Sequence, residues 1–217
     1  MMMLDTASME QEVKLMAPDA VTLESMLRDP DILEKCGGSP WQSKYLESTY
    51  LDTPGRQLLA HRFGFRFRKY GTPPLWRACL KAEGHMVDGF SVRHEWEQEV
   101  DGPVDNLAEL PDGPLRQQAL TVASGGESLL PLVETVFLRK TVMLTLADQC
   151  LAELALDQGE IRAGGKTQPL FEVEVECKSG PNEPMLRFSL LLRQRYNLKP
   201  SQHSKFAFGL ILLDNRP

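Results

Sequence analysis

Phe171-Glu172-Val173-Glu174-Val175-Glu176-Cys177-Lys178 alternates without a break between apolar or thiol side chains and ionic ones. A strand sends successive side chains to opposite faces, so this period of two puts Phe171, Val173, Val175 and Cys177 on one face and Glu172, Glu174, Glu176 and Lys178 on the other. The same division recurs along the chain. Glu10, Glu12 and Lys14 share a row opposite Gln11, Val13 and Leu15, and Arg66 and Arg68 lie opposite Phe63, Phe65 and Phe67. Arg77 and Lys81 lie opposite Trp76, Ala78 and Leu80, and Arg93, Glu95, Glu97 and Glu99 form a further ionic row.

The pattern predicts strands over Glu10 to Leu15, Lys44 to Leu51, His61 to Lys69, Leu75 to Lys81, Ser91 to Val100, Val136 to Leu146, Leu151 to Asp157 and Gln168 to Lys178. Eight strands are enough to close a small barrel. Helices are expected over Pro18 to Cys36, broken or kinked at Pro30, over Asp105 to Ser124, interrupted by Pro111 and Pro114, and over Glu183 to Tyr196. Gly71 to Pro74 and Gly164 to Gly165 read as hairpin turns.

Any one of these strands would suit a two-layer sheet with a solvated outer face. The rows together favour something else. Three glutamates or paired arginines along one face repel unless counter-charges bind them. An enclosed interior relieves that repulsion, with carboxylates sharing a metal ion and Arg and Lys gripping a polyanion. The predicted fold is α+β: a closed eight-stranded antiparallel β-barrel, ionic inside, with helices packed on its apolar outside, as one domain over residues 1–217.

Composition narrows the function. With 42% hydrophobic and 25% charged residues among 217, the chain can build one substantial core. A formal net charge of −6 argues against a surface built for nucleic acid, so phosphate-binding charge must be concentrated locally. An outer-membrane barrel would also be polar inside, but the aromatic content is only 7%, with no girdle pattern, and Met1 to Met9 carries no export signal. Cys36, Cys79, Cys150 and Cys177 show neither zinc spacing nor a disulfide framework, so the expected compartment is the cytoplasm. No GxxxxGK[ST] loop is present, and His61, His85, His94 and His203 form no metal or nucleophile constellation.

One set of motifs, in order, resembles a known family. Glu10-Gln11-Glu12-Val13-Lys14 is similar to the ExExK signature of the CYTH domain, or triphosphate tunnel metalloenzyme, superfamily. Tyr50-Leu51-Asp52-Thr53, Phe65-Arg66-Phe67-Arg68, Lys81, Arg93-His94-Glu95-Trp96-Glu97, Arg139, Glu172-Val173-Glu174-Val175-Glu176 and Ser204-Lys205 resemble that family's later elements. Glu153-Leu154-Ala155-Leu156-Asp157-Gln158-Gly159 looks like the stretch typical of its bacterial inorganic triphosphatase subgroup. Phe206 and Phe208 depart from the small or basic residues usual there, and Pro73-Pro74 stiffens the turn before Lys81. The subgroup often carries a fused CHAD domain, so a sequence running to Pro217 without one is expected to be a standalone version.

The resemblance implies a metal-dependent hydrolase of inorganic triphosphate, yielding pyrophosphate and orthophosphate, with Mg2+ or Mn2+. Glu10, Glu12, Glu172 and Glu174 are the expected metal ligands, because carboxylates at i and i+2 on facing strands can converge on one hard cation. Glu176 is expected at the tunnel mouth. Lys14, Arg66, Arg68, Lys81, Arg93, Arg139 and Lys205 are expected to hold the phosphates. Glu97, Asp157 and Glu172 are the candidates to take or orient the proton of the attacking water, with Lys14 placed to orient the glutamates. The expected partner is a small-molecule triphosphate, with no nucleic acid and no membrane, and a homodimer is compatible. The competing functions are a class IV adenylate cyclase or a thiamine triphosphatase on the same fold, and a non-catalytic polyphosphate-binding module.

Overall fold

A computed structural model of the chain describes residues 8–214. In chain order the strands are β1 (Ser8–Met16), β2 (Gln42–Asp52), β3 (Phe63–Tyr70), β4 (Leu75–Ala82), β5 (His85–Val87), β6 (Phe90–Val100), β7 (Leu130–Thr145), β8 (Leu151–Ala163), β9 (Lys166–Ser179) and β10 (Lys199–Pro200). The helices are α1 (Ala20–Met26), α2 (Pro30–Lys35), α3 (Gln57–Ala60), α4 (Pro114–Val122), α5 (Glu183–Arg195) and α6 (Lys205–Asp214).

Pairing runs β1-β9-β8-β7-β2-β3-β4-β6, and β6 returns to β1, so eight antiparallel strands close on themselves. The barrel leaves none of these eight strands as an open edge. β5 and β10 are short additions on β6 and β1. The long β8–β9 hairpin turns at Gly164 and Gly165, whose φ angles of 58° and 77° are the left-handed values a tight two-residue hairpin requires.

The outer faces are apolar as the alternation predicts. Val13, Leu15, Leu154, Leu156, Val173 and Val175 pack beneath α1, α2 and α5 through Leu23, Met26, Ile32, Met185, Phe188 and Leu192. On the other side Phe65, Phe67, Ala78 and Leu80 pack against Leu107, Leu115 and Ala119. Burying each Leu or Phe contributes about 1.5–3 kcal/mol. A one-residue slip of β1 would turn Glu12 and Lys14 into that layer, so packing fixes the register.

The interior differs from the expectation at one end. Leu46, Tyr50, Val133, Phe137, Ile161, Ala163 and Leu170 form an apolar cluster with Phe206, Phe208, Leu210, Leu212 and Leu213 of α6. Phe137, Ile161 and Leu170 belong by alternation to the same inward rows as Arg139, Asp157 and Glu172. α6 therefore closes this end of the barrel from within. Gly209 permits the approach, because a Cβ there would lie 2.1 Å from Val133 Cγ1.

Other boundaries also need correction. His61 and Arg62 precede β3 rather than starting it, because α3 ends there and Arg62 turns through a φ of 63°. β7 starts at Leu130, six residues earlier than expected, and β8 continues to Ala163. The helix expected over Pro18 to Cys36 is broken, as expected, rather than kinked: α1 ends at Met26 and Pro30 is the first residue of α2, capped by Asp29. The Asp105 to Ser124 stretch is helical only in α4 and a short 3-10 turn at Leu107–Glu109. No helix among the described residues is long and apolar enough to cross a membrane. Most of the Met1 to Met9 reading falls outside the described residues.

Candidate active site

The barrel encloses a cavity of about 790 Å³. It extends from a mouth flanked by Lys44, Tyr70, Arg77 and Lys178 to the end where Phe206, Ala207 and Leu210 enter. Both signs of charge line it because the inward rows of β1, β3, β4, β6, β7, β8 and β9 all carry ions.

One group of ions centres on β1 and β6. Lys81 Nζ donates to Glu10 Oε1 at 2.9 Å and lies 2.8 Å from Glu95 Oε2. Arg93 donates to Glu10 Oε2 at 2.6 Å and also to Glu12. Burial pushes Glu10 up, but Lys81 and Arg93 more than offset it and hold its pKa at about 2. Glu95 is likewise held below the ordinary range, by Lys81 and Arg66 against the effect of burial. The buried Cys79 thiol donates to Glu95 Oε1 at 2.9 Å.

A second group lies deeper, against α6. Arg139 makes a bidentate pair with Asp157, at 2.7 and 2.6 Å, and also donates to Glu174. Lys205 Nζ meets Asp157 and Glu174 at 2.8 Å each, and Glu172 as well. Asp157 is held low by Arg139 and Lys205 despite burial. Glu172 goes the other way: burial raises its pKa to about 7, with repulsion from Glu174 adding to the effect against the pull of Lys205. Its Oε1 is buried without a hydrogen-bond partner. Lys14 joins the two groups, donating to Glu12 at 2.7 Å and to Glu174 at 2.5 Å.

The wall formed by β2 and β3 is cationic. Arg66 is buried, donates to Tyr50 Oη at 3.3 Å and reaches Glu97 only at 3.7 Å. Arg68 donates to Ser48 Oγ at 2.9 Å and lies over the Phe137 ring, with no carboxylate of the described residues in salt-bridge contact. Burial, reinforced by Arg66 and Arg139, lowers its pKa to about 10. A guanidinium this crowded by like charge is the mark of an anion site.

Of the site residues expected from sequence, all but Asp157 and Glu172 line this cavity; those two are fully buried against Arg139 and Lys205, and the set does not form one cluster. Register sets Glu12 opposite Glu176 and Lys14 opposite Glu174, whereas Glu172 lies opposite Met16. Glu172 therefore stands apart from Glu10 and Glu12, at Lys205, and Glu176 takes the place beside them. Burial raises the Glu176 pKa, and Glu10 and Glu12 raise it further. Both Asp157 oxygens are engaged, by Arg139 at 2.7 and 2.6 Å and by Lys205 at 2.8 Å. Glu97 is exposed, at 3.2 Å from Arg77. Alternation alone places Cys79 in the row of Arg77 and Lys81 and Tyr70 in the row of Arg66 and Arg68, whereas Lys44 and Tyr50 stand on β2, whose inward row has no ionic run to mark it. Asp52 serves the turn into α3, accepting from the backbone N–H groups of Thr53, Leu58 and Leu59.

The CYTH domain family model matches residues 8–207. An inorganic triphosphatase of Haemophilus influenzae is 29% identical over 204 residues, covering 94% of this chain and 55% of that protein. The chain thus spans about half the length of this relative. Among solved structures, the Hippeastrum adenylyl cyclase candidate HpAC1, described as having a dominant triphosphatase activity, superposes with a TM-score of 0.67 at 18% identity, over 94% of this chain and 96% of that one. The PH1819 protein of Pyrococcus horikoshii gives 0.57 at 15% identity, over 93% and 99%. At these identities the structural likeness is one of fold.

Proposed function

The chain belongs to the CYTH domain family, and from that premise we propose that it hydrolyses inorganic triphosphate to pyrophosphate and orthophosphate with Mg2+ or Mn2+. The observation that carries the reading is Arg68, a guanidinium facing an enclosed cavity with Arg66 and Arg139 near it and no carboxylate of the described residues in contact. A ligand that is all phosphate suits such a wall better than one whose bulk is organic.

The opposite wall fits a divalent cation. Glu10, Glu12 and Glu176, with Glu174 next along β9, offer only carboxylate oxygens, the hard donors that Mg2+ and Mn2+ prefer. The raised pKa of Glu176 reflects, after burial, the negative charge already gathered there, which a cation would relieve. Asp157, Glu172 and Glu174 also bring oxygens within 4.8 Å of one another around Lys205, but of the three only Glu174 lines the cavity. Strand register puts Glu10, Glu12, Glu174 and Glu176 side by side, and these are the ligands we propose, the ion taking the place of lysine and arginine partners they have now, among them Lys81, Arg93, Lys14 and Lys178. The ion would supply charge neutralisation on the phosphates and acidify water.

The chain's own groups account for the rest. Arg66, Arg68 and Arg139 bind phosphate oxygens and stabilise the charge that spreads over them as the phosphoryl group transfers. Lys81 and Arg93 hold Glu10 ionised, Arg93 also binds Glu12, and Lys14 fixes Glu12 against Glu174. Glu172 is fully buried, pairs with Lys205 and does not line the cavity, so its part in this reading is to position Lys205. The test is phosphate release from triphosphate, ATP and thiamine triphosphate with either metal. Triphosphate should be turned over fastest; a preference for ATP above about tenfold, or cyclic AMP formed from ATP, would overturn the assignment.

A further inference from the structure

Of the described Lys and Arg side chains lining the cavity, two have no carboxylate in salt-bridge contact: Arg68, and Lys44 at the mouth. The two stand on neighbouring strands. Arg68 is opposite Ser48, and Lys44 is four residues along β2 from Ser48, about 13 Å toward the mouth at about 3.3 Å per residue. Tyr70, two residues beyond Arg68, lies between them. Lys44 sits 5.9 Å from its ring centroid and Arg77 5.8 Å. Arg77 is opposite Arg68 across β3 and β4, and its Nε–H is buried without an acceptor.

Cationic side chains therefore continue outward from Arg68 to the mouth, where Arg77 is shared with Glu97 at 3.2 Å and Glu99 at 3.4 Å and Lys44 meets no carboxylate among the described residues. We propose that Lys44, Arg77 and Tyr70 form a rim subsite for additional phosphates of a linear inorganic polyphosphate, so that chains of four or more phosphates enter by one end and are shortened from it. The inference rests on the triphosphatase reading and extends it in chain length. α6 and the Tyr50–Phe206 stack, with centroids 4.8 Å apart, oppose an apolar floor to a polyanion advancing inward. Water attacks the end phosphorus, one P–O–P bond breaks, and tetraphosphate yields orthophosphate and triphosphate, with the released proton passing to solvent.

A nucleoside triphosphate fits the rim less well. The Tyr70 ring that a base would stack on already has two cations against it, and those cations attract charge rather than a neutral base. Lys44 is exposed and has no carboxylate partner among the described residues, so replacing it leaves no buried charge unpaired.

Calorimetry in chelator, with tripolyphosphate, tetrapolyphosphate and ATP as probes, reads binding without turnover. The wild type should bind tetrapolyphosphate about tenfold more tightly than tripolyphosphate, one charge-assisted contact's worth. Lys44→Ala should remove most of that difference, and Lys44→Arg should keep it. Equal binding of the two by the wild type, or equal losses for both in Lys44→Ala, would overturn the rim subsite while leaving the triphosphatase reading intact. ATP binding as tightly as tetrapolyphosphate, with the same dependence on Lys44, would make the rim a nucleotide site and also overturn it. Failure to bind any of the three would sink both readings together.

Discussion

Glu172 and Glu176 occupy the same inward row of β9, and their neighbours give them different chemistry. Glu176 faces Glu12 and has negative charge around it, while Glu172 lies against Lys205 with one oxygen free. Glu176→Gln should therefore raise the Mn2+ concentration needed for half-maximal turnover by about tenfold, the loss of one charged ligand. Glu172→Gln should loosen Lys205, raise the triphosphate KM by about tenfold and leave that metal concentration unchanged. Metal titrations of both variants check the pair, and a metal shift in Glu172→Gln instead of Glu176→Gln would reverse the assignment. Alternation in residues 171–178 places both carboxylates on one face. Which of them meets β1 is a matter of register, and period alone carries no register.

At the scale of elements, α6 is where sequence patterning gives least. Phe206, Phe208, Leu210, Ile211, Leu212 and Leu213 leave the segment apolar nearly all round, with no amphipathic period to mark a helix lodged inside a barrel. Helix propensity alone predicts that Gly209→Ala stabilises by about 1 kcal/mol. The structure predicts the opposite sign, because the new methyl would meet the buried Val133 side chain, and overpacking of this kind costs about 1–3 kcal/mol. Thermal denaturation should show a lower Tm. Asp29 makes a second test. It caps α2 and accepts from Arg195 at 2.7 Å and Tyr196 Oη at 2.5 Å, tying α2 to α5. Burial would raise its pKa, but these hydrogen bonds bring it below the ordinary carboxyl value. The stability it contributes is thus present above the unfolded pKa and is lost as pH falls through the lower folded one. Asp29→Ala should cost about 2 kcal/mol near neutrality, and in urea titrations its deficit relative to wild type should shrink in acid.

For the molecule as a whole, the inner carboxylates Glu10, Glu12, Glu95, Asp157, Glu172 and Glu174 each have a lysine or arginine partner. Their mutual compensation means that closure of the barrel does not depend on a divalent ion, even though buried ion pairs add little net stability. Chelation with EDTA should accordingly abolish turnover while leaving far-ultraviolet circular dichroism and Tm nearly unchanged. Triphosphate in EDTA should raise Tm, since it binds the folded cationic wall and not the unfolded chain. At a hundred times its Kd the gain is about 2.7 kcal/mol, or roughly 5–10 °C for a chain of this size. A large fall in Tm with EDTA alone would mean that metal, rather than these ion pairs, holds the walls together.

Alternation by itself determined that the chain makes strands, which rows are ionic, and that those rows belong to an enclosed surface. Side-chain direction has a strict period of two, and runs of like charge need counter-charges close by. The motif order supplied the family. Register and the lodging of α6 were decided only in three dimensions, because they depend on residues far apart in sequence: Glu12 with Glu176, Gly209 with Val133. The same distant pairings determine which cations find a carboxylate and which, like Arg68 and Lys44, are left facing the cavity for an anion.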